Sequence, residues 1–173
     1  MVEVLDTKAE KNGLLFYGTF SEGFFEEWLK IVNFLPSKER IRDGLLLQVG
    51  FNIYKLVQLN MDQFRIMSVN YETNPFQEFT DDLTLALWIQ SEQSTLAKEL
   101  KIEASDIRFD EKIVLAKDVF ESEHYYLQRQ DTVRKGDSGW FIGYQNQDTV
   151  DFVAMYAFEI LKKNPKLIKS LIL

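Results

Sequence analysis

Apolar positions along this chain recur with two periods, and the switch between them divides it into elements. The run "LLFYGTF" (14–20) predicts a short strand. In "SEGFFEEWLKIVNFLP" (21–36) the spacing turns helical, with Phe24, Trp28, Ile31 and Leu35 on one face. Ser21 is placed to cap this helix, Glu22 suits the positive end of its dipole, and Pro36 ends it. Alternation returns in "LLLQVGFNIYKLVQL" (45–59), which predicts one strand. Its apolar side carries Leu45, Leu47, Val49, Phe51, Ile53, Val57 and Leu59, interrupted only by Lys55. "NMD" (60–62) predicts a turn and "QFRIMSVNY" (63–71) the returning strand. The phase of that strand changes near Met67, which predicts a bulge. "NPF" (74–76) follows as a loop.

"TDDLTLALWIQSEQSTLAKEL" (80–100) predicts a second helix. Thr80 is its expected cap, Asp81 and Asp82 suit its first turn, and Leu85, Trp88, Ile89, Leu96 and Leu100 form its stripe. The charged stretch "KIEASDIRFDE" (101–111) is the expected boundary between two regions, 1–107 and 108–173, or a loop within one continuous domain. Beyond it "KIVLAKDVF" (112–120), "HYYLQRQ" (124–130) and "GWFIGY" (139–144) predict three short strands. A helix is expected over 148–164, capped by Asp148, with Val153, Tyr156, Ala157, Ile160 and Leu161 on one face and Pro165 after it. "KLIKSLIL" (166–173) predicts a last amphipathic turn. Strands grouped apart from helices imply an α+β fold, with antiparallel sheet segments and helices packed on one side.

Composition narrows the function classes. The 173 residues are 46% hydrophobic and 27% charged, as a globular chain with a proper core should be. No run reaches the roughly 18 apolar residues that a bilayer span requires. The polar start "MVEVLDTKAEKNG" does not read as a secretory signal. Cys is absent, which excludes disulfides and thiolate chemistry and accords with a cytoplasmic location. A net charge of −7 repels nucleic acid and leaves two explanations, plain solubility or a basic partner.

The peptide "RKGDSGWFIG" (134–143) raises the sharpest chemical question, because Gly136-Asp137-Ser138-Gly139 resembles the nucleophile signature of trypsin-like proteases. Such a serine needs a base and an oxyanion site. The single His, His124, lies only fourteen residues upstream, and Trp140 replaces the second Gly of the signature. The same peptide reads well as a structural turn, with Asp137 and Ser138 bonding back to backbone, Gly136 and Gly139 free to take positive φ, and Trp140 as an anchor. No catalytic residue is therefore assigned. Nor is any metal or cofactor: one His without Cys gives no zinc set, and calcium-loop, GxGxxG and P-loop spacings are all missing. Carboxylate pairs such as Glu26/Glu27, Asp81/Asp82 and Asp110/Glu111 read as solvated surface.

Roughly residues 112–173, and above all "IVLAKDVFESEHYYLQRQDTVRKGDSGWFIGYQNQD" (113–148), resemble a bacterial family of unknown-function domains also catalogued as the immunity protein 33 family. The matching features are the turn Ala116 to Val119, Tyr126 followed by Arg129, Asp137 to Trp140, and a closing helix before Pro165. The chain departs from the pattern after Gly143, where no acidic residue follows, and its first hundred residues have no counterpart. The resemblance implies a non-catalytic protein that neutralises a cognate toxin in the cytoplasm. A basic toxin domain would suit the acidity. Asp118, Glu121, Glu123 and Tyr125, in the connection "DVFESEHYY" (118–126), are the expected partner-binding residues. The alternatives are a small enzyme or ligand-binding domain with a cleft near Trp140, His124 and Arg129, or a structural adaptor. Oligomeric state is left open.

Overall fold

The computed structural model describes residues 4–104, 107–130, 134–144 and 151–173. The fold is α+β, and the chain forms two compact units divided between Thr95 and Leu96. The first begins with a hairpin of β1 (Val4–Lys11), which the sequence reading did not include, and β2 (Leu14–Ser21), which it expected over 14–20. Its turn is Asn12-Gly13, at φ of 54° and 72°. Two positive φ values are what a two-residue hairpin turn of matching twist needs, and Asn-Gly supplies them at little cost. Next come α1 (Phe25–Phe34), β3 (Leu46–Val49), β4 (Asn52–Asn60), β5 (Gln63–Val69), β6 (Phe79–Thr80) and α2 (Thr84–Leu100). The strand order is β1-β2-β5-β4-β3, with β6 also on β5. Every pairing is antiparallel except β2 with β5.

The expected single strand over 45–59 is two strands. Val49 pairs with Asn52, so Gly50 and Phe51 form a two-residue turn with Gly50 at φ 54°. Each pair then joins an odd residue to an even one, as Leu47 to Tyr54. The core side passes from odd residues in β3 to Asn52, Tyr54 and Leu56 in β4, leaving Ile53 and Val57 on the opposite face. The bulge expected near Met67 is elsewhere: Met67 pairs regularly with Lys55, and the irregularity falls between Gln58 and Asn60. The change of phase comes instead from Val69, buried at the end of β5 where it pairs with Phe79.

Both helices start later than their spacing suggested. Ser21 does not cap α1. It ends β2, and its N–H donates to Thr84 Oγ1 at 2.9 Å. Thr80 lies in β6, and Asp82 accepts the Thr84 N–H at 2.9 Å. With α2 starting at Thr84, its buried side is Ala86, Leu87, Ile89 and Gln93, while Leu85 and Trp88 are half-buried.

One face of the first sheet carries Leu14, Phe16, Phe20, Tyr54, Leu56, Phe64 and Ile66 into a core shared with Trp28, Ile31 and Val32 of α1 and Ala86 and Leu87 of α2. Two details set its geometry. Buried Asn52 donates to the Ala86 carbonyl (3.0 Å) and accepts from the Tyr71 hydroxyl (2.9 Å), which pins β4 to α2. Gly18 lies under the Trp28 indole, so closely that a Cβ there would overlap the ring. Burial, and then the negative charge of Glu27, push the Tyr54 phenol well above its ordinary range, so it stays neutral.

The second unit holds β7 (Lys112–Ala116), β8 (Tyr125–Arg129), β9 (Asp137–Tyr144), β10 (Phe152–Tyr156), α3 (Ala157–Lys163) and a 3-10 segment, Pro165–Ile172. The sheet order is β10-β7-β9-β8, and only β7 and β9 are parallel. The expected helix over 148–164 is shorter than its spacing predicted. Residues 152–156 instead pair with β7, Phe152 opposite Ala116 and Tyr156 opposite Lys112. The run FVAMY is apolar on both parities, so spacing alone cannot separate strand from helix. Asp148, the expected cap, lies outside the described residues. Glu159 instead accepts the Tyr156 N–H at 2.8 Å at the start of α3. Ile113, Leu115, Trp140, Ile142, Ile160, Leu161, Ile168 and Leu171 are buried.

Substituting Gly18 with Ala should overpack the Gly18–Trp28 contact and destabilise the first unit by ~1–3 kcal/mol. Urea unfolding of the two proteins checks this, and equal midpoints would mean that the indole can move aside.

Candidate functional site

The Gly136–Trp140 peptide is built around β7. Gly136 sits at φ 83°, and its carbonyl accepts the Lys112 N–H at 2.9 Å. β9 then runs from Asp137 to Phe141 while β7 advances only from Lys112 to Val114. Asp137, Ser138 and Gly139 therefore form a bulge inside a strand, where a turn ahead of the strand was expected. Gly139 takes φ 75°, and its N–H donates to Asp137 Oδ1 at 3.0 Å. The bulge leaves two backbone groups off the ladder, and Ser138 satisfies both. Its Oγ donates to the Lys112 carbonyl (2.7 Å) and accepts the Trp140 N–H (3.2 Å). A buried hydroxyl engaged twice with backbone is a structural group.

Trp140 is 5% exposed, and its indole N–H donates to the Leu171 carbonyl at 2.9 Å. That bond ties it to the 3-10 segment after α3. Arg129, paired with Trp140 across the β8–β9 ladder, lies over the indole at 5.6 Å and donates to the Leu173 carbonyl at 3.2 Å. His124 is at the other end of β8, exposed, five residues of extended chain or roughly 16 Å away. Trp140 and Arg129 are thus brought together as a seat for the C-terminal segment, and His124 does not join them.

In the 118–126 connection, β7 ends in the turn Ala116 to Val119, with Asp118 left-handed at φ 58°. A 3-10 turn follows over Val119–Glu121. Val119 is buried and anchors the segment, whereas Asp118, Glu121 and Glu123 are exposed. Tyr125 is half-buried. Its ring meets Phe120 edge-on at 6.1 Å, and its hydroxyl accepts from Asn164 at 3.0 Å. Tyr126 points the opposite way.

In each of the other carboxylate pairs at least one member is engaged with a neighbouring group. Asp110 and Glu111 both bind Arg108, Asp81 pairs with Arg65, and Glu27 with Lys30. Among the described residues no His, Cys, Asp or Glu cluster could hold a metal ion. No helix among them is long and apolar enough to cross a membrane. A cavity of about 400 Å³ in the first unit is lined by Phe24, Tyr71, Glu72, Asp82 and Trp88 among others. A second, of about 310 Å³, lies between Arg108, Asp110, Arg134 and Asp137. Neither is lined by Trp140, His124 or Arg129. Sequence reasoning did not find the first cavity, since Trp88 was read as core.

Residues 92–173 match the family model described as the Imm33-like domain. The match takes in the end of α2 and every element of the second unit, which extends the resemblance read from residue 112 onward. No curated protein and no solved structure matches the chain.

Two substitutions test the structural reading of the motif. Ser138→Ala should cost ~1–3 kcal/mol, because the Lys112 carbonyl and the Trp140 N–H lose their partner. The wild-type protein should take up no fluorophosphonate label, and labelling lost on Ser138→Ala would restore the nucleophile. Trp140→Ala should cost ~3–5 kcal/mol, as large core deletions do. An unchanged melting temperature with a lost binding activity would make Trp140 a site residue.

Proposed function

We propose that this chain is an immunity protein, a non-catalytic binder that neutralises a cognate bacterial toxin in the cytoplasm. The observation that carries this reading is the Imm33-like character of residues 92–173. Geometry supports it from the other side. The serine of the protease-like motif is spent on backbone, and His124 is remote from both Trp140 and Arg129. A stoichiometric binder needs no such machinery, only a surface. The net charge of −7 suits a basic partner, because complementary charge accelerates encounter and disfavours wrong pairings.

A second reading, a small-molecule binder, is favoured by the 400 Å³ cavity of the first unit, whose aromatic and acidic walls would suit an organic cation.

Growth separates these readings. The gene immediately upstream should encode a toxin. Its expression should stop growth, and co-expression of this protein should restore it through a one-to-one complex whose association slows with added salt. Failure to restore growth, or an upstream product with no toxicity, removes the immunity reading.

A further inference from the structure

The outward face of the second sheet carries a row of rings. Tyr126 of β8 lies 6.0 Å from Phe141 of β9, and Phe141 lies 5.6 Å edge-on from Phe152 of β10. Tyr126 and Phe152 are 42% and 59% exposed. Gly143, opposite Tyr126 in the ladder, keeps the row low: a Cβ there would come within 2.7 Å of both Tyr126 and Phe141. The rings thus hold one another in place before any partner arrives, which lowers the entropy cost of binding. Connected apolar rings left in water are unusual for a surface without a function.

Charge marks one end of this face. β7 leaves the sheet toward Asp118, β8 enters it from Glu123, and β10 enters it from Asp151, whose carbonyl accepts the Lys117 N–H at 2.8 Å. Asp118, Glu121, Glu123 and Asp151 are all exposed there, against Lys117 and His124. The opposite end carries Lys112, Arg134 and Lys135, also exposed. The face is therefore apolar in the middle and acidic at the Asp118 end, while the other end mixes these cations with half-buried Asp110, Glu111 and Asp137.

We propose that this face is the docking surface for a basic partner protein, with Phe152, Phe141 and Tyr126 as anchors and Asp118, Glu121, Glu123 and Asp151 as the rim that steers and orients it. This rests on the reading of the chain as a protein binder. It assigns the anchoring role to the face that carries Tyr126, turned away from Tyr125. Anchors of this kind govern dissociation, and rim charges govern association.

The test uses the full chain and the polypeptide encoded immediately upstream, with binding followed by stopped-flow. The double variant Tyr126→Ser/Phe152→Ser should keep the wild-type melting temperature and dissociate about tenfold faster or more. The triple reversal Asp118→Lys/Glu121→Lys/Glu123→Lys should associate about tenfold more slowly at low salt. In wild type, amide exchange in β8 and β9 should slow on complex formation. Tight binding that both variants leave unchanged overturns this surface and leaves the immunity reading standing. Absence of binding by the wild type overturns both. A wild-type dimer that Tyr126→Ser/Phe152→Ser converts to monomer makes a second copy the occupant and overturns the proposal.

Discussion

Lys112 is where the second unit is held in register. Its N–H donates to the Gly136 carbonyl and its own carbonyl accepts from Ser138, so one residue of β7 grips β9 on both sides of a bulge. A parallel pair next to a bulge has few regular hydrogen bonds, and a serine hydroxyl makes up the deficit. Trp140 follows directly. Its amide is satisfied by that hydroxyl, its ring is covered by Arg129, and its indole N–H reaches the last residues of the chain. The sheet, the bulge and the C-terminal segment form one connected arrangement. The peptide that looks like a protease signature therefore has a full structural role at this bulge.

Much of this was legible in the sequence, and the failures have specific causes. The three strands after residue 111 were found because Tyr125 to Arg129 and Gly139 to Tyr144 carry aromatic alternation between turn residues. β2 was found, but its partner β1 was missed because only Leu5 and Ala9 are apolar on its inward side, although Asn12-Gly13 announced the turn. The strand over 45–59 was read through Gly50 because Phe51 continued the apolar rhythm, and a two-residue turn reverses parity without interrupting hydrophobicity. β10 was read as helix because its run has no polar face to reveal a period. Of the candidate site, acidic exposure was legible and the aromatic row was not. Tyr126, Phe141 and Phe152 come from three strands, and only pairing brings them into line.

The Imm33-like match of residues 92–173 is the observation on which the functional reading rests. The family match speaks for the second unit, which also carries the exposed ring row and the acidic sheet end. The first unit differs in kind. It buries a polar residue, Asn52, between Ala86 and Tyr71, and its cavity is lined by its own residues.

Each sheet has one parallel pair at its centre, and the strands of that pair are distant along the chain. Leu15 meets Gln63 in the first sheet, and Lys112 meets Asp137 in the second. Neither pairing can form as a simple hairpin, so loop closure must come before most of the contacts that reward it. The hairpins of each sheet can assemble quickly, but the two central seams set the pace. The chain is therefore built to mature slowly relative to a helical bundle of its length. Whatever such a chain binds, its surface is complete only once both seams have closed.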